Sequence, residues 1–208
     1  MHDTHLFVIG LTGPSGAGKS AVAAILASYG FPIIDADAVY HKLLIPPSPC
    51  LDALTEAFTT DILHPDGTLN RPALARIVFE DSDRGRERRA LLNRITHRFV
   101  IEETEHRLAR YRSEGVRCAV IDAPLLLEAD MQHDRNVTVA VLADRALRLQ
   151  RLLARDQAGE QALTARINAQ PSDTFYTSRV NAVLYNNGDI EALRSDVEQL
   201  CQQLGVLN

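Results

Sequence analysis

The 208-residue chain has no tryptophan, three cysteines and two lysines, Lys19 and Lys42. The cysteines, Cys50, Cys118 and Cys201, are far apart, odd in number, and form no C-x-x-C or Cys/His cluster. A disulfide framework and a structural zinc site are therefore not expected, and the thiols read as reduced, in a cytoplasmic protein. The apolar run Leu6–Leu11 is too short to span a membrane and too interrupted to be a signal peptide. The start, Met1-His2-Asp3-Thr4-His5, lacks the basic residues of a secretory leader. A formal net charge of −5 leaves no basic excess for bulk nucleic-acid binding. Neither a membrane nor nucleic acid is thus an expected partner. The preference for arginine is by itself a matter of genome composition, but it makes a lysine in the one Gly-rich loop conspicuous.

A hydrophobic fraction of 46% and a charged fraction of 24% are ordinary for a globular chain. The length suffices for one α/β domain with a small appended subdomain. Leu6–Leu11 lacks period-2 alternation and reads as a strand buried on both faces. A Gly-rich loop follows, then helical spacing over Ser20–Tyr29, a stop at Gly30, and a second strand over Phe31–Ile34. This is a βαβ beginning. Residues ~38–115 carry helical spacing around Leu51–Phe58, Pro72–Phe79, Arg84–Ile95 and Phe99–Tyr111, with a turn at His64-Pro65-Asp66-Gly67. They read as a mostly helical insertion. Strands then recur at Arg117–Ile121, Asn136–Leu142 and Ala182–Tyr185. Helices are expected over Arg145–Asp156, Leu163–Gln170, Ser172–Arg179 and Ile190 to about Leu204. Alternating strands and helices imply an α/β fold with a parallel sheet covered on both faces.

Gly13-Pro14-Ser15-Gly16-Ala17-Gly18-Lys19-Ser20 matches G-x-x-x-x-G-K-[ST] in full, with a strand before it and a helix after it. Glycines let the backbone turn tightly enough for successive N–H groups to face one phosphate, and the helix adds the positive end of its dipole. The expected nucleotide site is Gly13, Ser15, Gly16, Ala17, Gly18, Lys19, Ser20 and Ala21. Lys19 should reach the β- and γ-phosphates, and the Ser20 hydroxyl should ligate Mg²⁺. Pro14 offers no N–H. Asp35 and Asp37 close the second strand, on the sheet edge where ligands bind. Either is suited to take a proton from an attacking hydroxyl or, alternatively, to cap the next helix. Asp122, ending the third strand, reads as part of a magnesium shell or as a cap, and Glu128 as facing an acceptor or solvent. Arg145, Arg148, Arg151 and Arg155 recur at spacings of three and four. They form either a solvated face paired with acids such as Asp144 and Asp156 or a phosphate clamp. Arg84, Arg86, Arg88, Arg89, Arg94 and Arg98 make a second basic cluster, which reads as an outer helix face or as a receiver of an anionic acceptor. His97 lies beside it.

Together these segments resemble the dephospho-coenzyme A kinases. The loop carries the resemblance with Ile34-Asp35-Ala36-Asp37, then Asp66-Gly67-x-Leu69-x-Arg71, Leu74 and Val78-Phe79, then Asn93-Arg94-Ile95-x-His97. Ile121-Asp122-Ala123-Pro124-Leu125-Leu126-Leu127-Glu128 follows, then Arg148-Leu149-x-Arg151-Leu152, Arg155-Asp156, Ala165-Arg166-Ile167-x-x-Gln170 and Asn186-x-Gly188. The matches run in order from Ile9 to Gly188. The resemblance implies transfer of the ATP γ-phosphate, with Mg²⁺, to the ribose 3′-hydroxyl of dephospho-coenzyme A, the last step of coenzyme A biosynthesis. It implies a nucleotide-binding core over 1–37 and 116–208, a helical lid at about 145–178 within it, and an acceptor-binding insertion over 38–115. Carried over, Asp37 is the base, with Lys19 and Arg151 also catalytic, while Arg155 joins the nucleotide site. Asp35, Asp37, His97, Asp122, Pro124, Leu125 and Glu128 meet the acceptor, and Ser20 and Asp122 hold the metal. The chain departs from the family in three places. Gly13-Pro14-Ser15-Gly16 replaces the usual Gly-Gly-Ile-Gly and is closer to guanylate kinases; Arg98 replaces a proline; and Asn181 replaces an acidic residue. Neither the Arg/Tyr-rich guanine-monophosphate segment of guanylate kinases nor the Asn-Lys-x-Asp of GTPases occurs.

Overall fold

A computed structural model describes residues 6–132 and 135–207, so the Met1–His5 start lies outside the described residues. The chain divides into two compact units, residues 1–35 with 108–208, and residues 36–107.

The first unit holds the sheet. Its strands are β1 (Phe7–Thr12), β2 (Ile33–Asp35), β3 (Cys118–Asp122), β4 (Val137–Leu142) and β5 (Ala182–Tyr185). They pair in parallel in the order β2-β3-β1-β4-β5. β3 and β4 are buried along their whole length and β1 nearly so, as uninterrupted apolar runs require in a sheet covered on both faces. Ile9, Leu11, Val120, Val139 and Val141 pack with Val22 and Leu26 of helix α1 (Lys19–Ser28) and Val197 of α9 (Ile190–Gln203). Register aligns the strand ends: Leu11 lies opposite Asp122, and Asp35 opposite Asp122 on the other side. Asn181 secures the start of β5, donating its N–H to Thr138 O at 2.9 Å and accepting the Thr138 N–H at 2.8 Å. Helices α6 (Arg145–Arg155) and α7 (Glu160–Asn168) pack on each other through Leu152, Leu163 and Ile167, a small core of their own, and α8 (Asp173–Thr177) follows.

The second unit is helical: α2 (Ala36–Leu43), α3 (Pro49–Phe58), α4 (Arg71–Val78) and α5 (Asp83–Ser113) up to Arg107, with one 3₁₀ turn at Thr60–Ile62. Cys50, Leu54, Phe58, Ile62, Leu74 and Val78 form its core. The Asn70 side chain caps α4 by accepting the Ala73 N–H at 3.0 Å. One sequence expectation is corrected here. The segments at 84–95 and 99–111 are one 31-residue helix, because Thr96-His97-Arg98 contains neither glycine nor proline to stop it. α2, the helix that Asp35 or Asp37 was expected to cap, had no range of its own, since its eight residues are too few to establish a period. The second compact unit runs from Ala36 to Arg107, and α5 continues past it to Ser113.

Candidate active site

The loop between β1 and α1 can exist only with glycine at two of its turns. Gly13 has φ +147°, and a Cβ there would run into Val141 O; Gly16 has φ +80°, and its Cβ would lie 2.7 Å from Arg148 O. Within the loop the Ala17 N–H donates to Pro14 O at 3.2 Å. The amides of Gly16, Gly18, Lys19 and Ser20 find no acceptor among the described residues, and no side chain caps α1. Free N–H groups at the positive end of a helix dipole form a receptor for a bound anion, and they suit a triphosphate.

A loop that turns its N–H groups to one side turns carbonyls to the other, and buried carbonyls need donors. Distant side chains supply them. Arg148 Nε donates to Ser15 O at 3.0 Å. Asn186 Nδ2 donates to Ala17 O at 2.9 Å, and Arg151 reaches the same oxygen at 3.4 Å. Arg151 also donates to Asn186 O at 3.0 Å. Gln170 completes the support. Its Oε1 accepts the Ser15 N–H at 3.2 Å and an Arg148 N–H at 2.6 Å, while its Nε2 donates to Ser15 Oγ at 3.1 Å.

The four-arginine stripe is therefore neither one solvated face nor one phosphate clamp. Arg145 is exposed and donates to Asn168 Oδ1 at 2.6 Å. Arg148 is 5% exposed, and burial lowers its pKa. Arg151 is half-buried against the loop backbone. Arg155 is exposed and paired with Asp156, which also accepts from Arg166 at 2.6 Å. Of the two acids expected to pair with the stripe, Asp156 does so; Asp144 instead accepts from Asn187 Nδ2 at 3.0 Å.

Lys19 forms an ion pair with Asp122, a carboxylate 8% exposed at the end of β3. Ser20 is exposed on the first turn of α1, with Ala21 half-buried after it. Beyond Asp122, Pro124 O accepts from Thr12 Oγ1 at 3.1 Å, Leu125 is 53% exposed, and Glu128 is exposed. Burial, and next the Glu128 carboxylate, push the Tyr176 hydroxyl up to about 12. No group of three His, Cys, Asp or Glu side chains suited to a metal occurs among the described residues.

In the second unit, exposed Asp37 lies in the first turn of α2, two residues past Asp35. His41 is one turn further along the same helix, and its Nδ1 accepts from Arg71 at 3.1 Å. His97 is half-buried in α5, where desolvation lowers its pKa. Arg98 pairs with Glu102 at 3.8 Å and lies 4.5 Å over the Phe99 ring. Arg84, Arg88 and Arg94 line a groove of about 880 Å³ together with the acids Asp61 and Glu87.

Three side chains that hold the loop have no such task in the sequence expectations: Gln170, Asn186 and Arg148. Spacing gives no signal for a contact between residues 155 apart. The only hint was chemical, since a tight loop must find donors for its carbonyls somewhere.

The dephospho-CoA kinase family model matches residues 7–192. A dephospho-CoA kinase of Corynebacterium efficiens is 41% identical over 94% of this chain and 96% of its own. Among solved structures, TT1252 from Thermus thermophilus superposes with TM-score 0.79 at 30% identity, over 96% of this chain and 98% of its own. A dephospho-CoA kinase from Campylobacter jejuni shares the fold, with TM-score 0.70 at 21% identity over 96% and 98% of the two chains. No helix among the described residues is long and apolar enough to cross a membrane. A phosphate loop on the central strand of a 2-3-1-4-5 parallel sheet, a helical second unit, and a family match over most of the length agree, and the chain belongs to the dephospho-CoA kinase family.

Proposed function

We propose that this chain transfers the γ-phosphate of ATP to the ribose 3′-hydroxyl of dephospho-coenzyme A, giving coenzyme A and ADP. The observation that carries the reading is the run of four unaccepted amides from Gly16 to Ser20, beside a lysine already sharing a buried carboxylate with the strand edge. Those amides and the dipole of α1 hold the phosphates. Lys19 moves from Asp122 to the β- and γ-phosphates and balances the charge that spreads over the transferring group. Ser20 and Asp122 are the residues that would hold Mg²⁺, which neutralises phosphate charge when bound. Asp37 accepts the proton of the acceptor hydroxyl. Arg151, now bonded to the Ala17 and Asn186 carbonyls, and Arg155, now paired with Asp156, are the guanidinium groups assigned to phosphate charge, which they meet once those partners are given up. Asp35, His97, Pro124, Leu125 and Glu128 contact the acceptor, and the protein works in the cytoplasm.

A coupled ADP-release assay with ATP and Mg²⁺ tests the reading by comparing dephospho-coenzyme A with GMP and AMP. Selective turnover of dephospho-coenzyme A with a 3′-phosphorylated product is the expected result; turnover of GMP alone would sink it. Asp37→Asn should lower kcat by about a thousandfold, the order general-base catalysis supplies, with ATP binding retained. Near-normal turnover would remove Asp37 from the role.

A further inference from the structure

Ser15 is held entirely by side chains from elsewhere in the chain. Its N–H donates to Gln170 Oε1 at 3.2 Å, its hydroxyl accepts from Gln170 Nε2 at 3.1 Å, and its carbonyl accepts from Arg148 Nε at 3.0 Å. Arg148 and Gln170 are joined in turn at 2.6 Å. The result is a closed ring of four bonds through three residues. Arg148 stands on α6 and Gln170 just beyond α7, so both limbs of the α6–α7 pair grip the phosphate loop at one residue. The pair has its own apolar core of Leu152, Leu163 and Ile167.

The ring also gives the loop's one polar side chain a task. The Ser15 hydroxyl is the only polar side-chain group that the Gly13–Gly18 segment can offer Gln170. Pro14, which removes one amide from the loop, stands directly before it. A loop with one fewer N–H and a serine in the third position is thus tied down by a glutamine that bonds all it can offer.

We propose that Gln170 is a positioning residue for phosphoryl transfer: through Ser15 it sets the shape of the first half of the phosphate loop and couples that shape to the α6–α7 pair. Arg148 orients the Gln170 amide by fixing its oxygen, which leaves Nε2 for the hydroxyl. The proposal rests on the reading of the loop as an ATP site but not on the identity of the acceptor.

Three variants test it, each measured by ATP titration without acceptor, by steady-state kinetics and by thermal melting. Gln170→Ala removes three of the four bonds and should raise Kd and KM for ATP roughly tenfold, with the acceptor KM unchanged, as misplacement of binding groups does. Ser15→Ala removes only the hydroxyl bond and should give a smaller rise in the same direction. Gln170→Glu keeps acceptors for Arg148 and the Ser15 N–H, and the Ser15 hydroxyl can turn to donate to it, so the ring survives; Kd for ATP should move much less than in Gln170→Ala, with the melting temperature held. Gln170→Glu weakening ATP binding as much as Gln170→Ala, or a melting loss in Gln170→Ala without any change in Kd for ATP, would overturn the proposal. Because ATP binding is read directly, absence of turnover with dephospho-coenzyme A in the parent would fault the acceptor assignment and leave this result standing.

Discussion

Two tight turns in this molecule solve the same backbone problem in opposite ways. The turn at His64–Thr68 in the second unit closes on itself. His64 N–H donates to Thr68 O at 2.8 Å, Gly67 N–H to His64 O at 2.9 Å, and the Asp66 carboxylate accepts both the Thr68 N–H at 2.9 Å and its hydroxyl at 2.6 Å. Those bonds to Thr68 hold Asp66 below the usual carboxylate range. The loop at Gly13–Ser20 does the reverse: four amides stay open, and the carbonyls of Ser15 and Ala17 are satisfied by residues more than 130 positions away. A turn that only reverses the chain uses local donors and acceptors. A loop that must receive a ligand keeps its local donors free, so its own fold has to be imposed from outside.

Four substitutions sharpen or break this contrast. Lys19→Ala should have the largest effect, a loss of a hundredfold or more in kcat with weaker ATP binding, because a preorganised charge is removed from the transferring group. An unchanged rate would end the loop assignment. Arg151→Ala leaves Asn186 O without its guanidinium donor and Ala17 O with one donor instead of two. It should raise the ATP KM about tenfold. If it instead cost only stability, the outside support would be ordinary packing. Gly67→Ala should act in the opposite sense. Gly67 has φ +82° with nothing within 4 Å of a built Cβ, so the penalty is backbone strain alone, about 1 kcal/mol, or roughly 3 °C of melting temperature. A shift in ATP KM in that variant would break the comparison.

The smallest effect concerns His97. Burial depresses its folded pKa below the ordinary 6.5, so below that pH the unfolded chain binds a proton that the folded chain resists. The stability associated with a neutral His97 is present above pH 6.5 and is lost as pH falls from there toward the folded pKa. His97→Gln should flatten the fall of melting temperature as pH drops from 7 to 5. An unaltered pH profile would mean that His97 is solvated.

Much of the first unit was legible because its signals are local. A continuous apolar run, a Gly-Lys-Ser loop and a strand ending in aspartate are each contained in a few residues, and Leu6–Leu11, Arg117–Ile121 and Asn136–Leu142 correspond to β1, β3 and β4 within two residues at each end. What escaped was long-range. Arg148 and Arg151 were visible as a stripe, but a guanidinium next to a phosphate and one beneath a phosphate loop have the same helical spacing. Only burial separates them, and burial is a property of the fold. Gln170 and Asn186 stood inside recognisable motifs without an evident task, because their partners at Ser15 and Ala17 are brought to them by the sheet. α2 had no range of its own because it is brief, and α5 was divided because its hydrophobic face is interrupted by arginines, although Thr96-His97-Arg98 holds no helix breaker.

The three thiols carry one more consequence. Cys118 and Cys201 are buried in the first unit and Cys50 in the second, at 2%, 0% and 0% exposure. Burial raises all three, Cys118 to about 12 and Cys201 to about 11, so the folded chain presents almost no thiolate to a reagent. Alkylation must then wait for local opening. The chain thus carries its own set of clocks: peptide-resolved labelling of Cys50 against Cys118 and Cys201 times the opening of the helical unit separately from that of the sheet, without a single engineered residue.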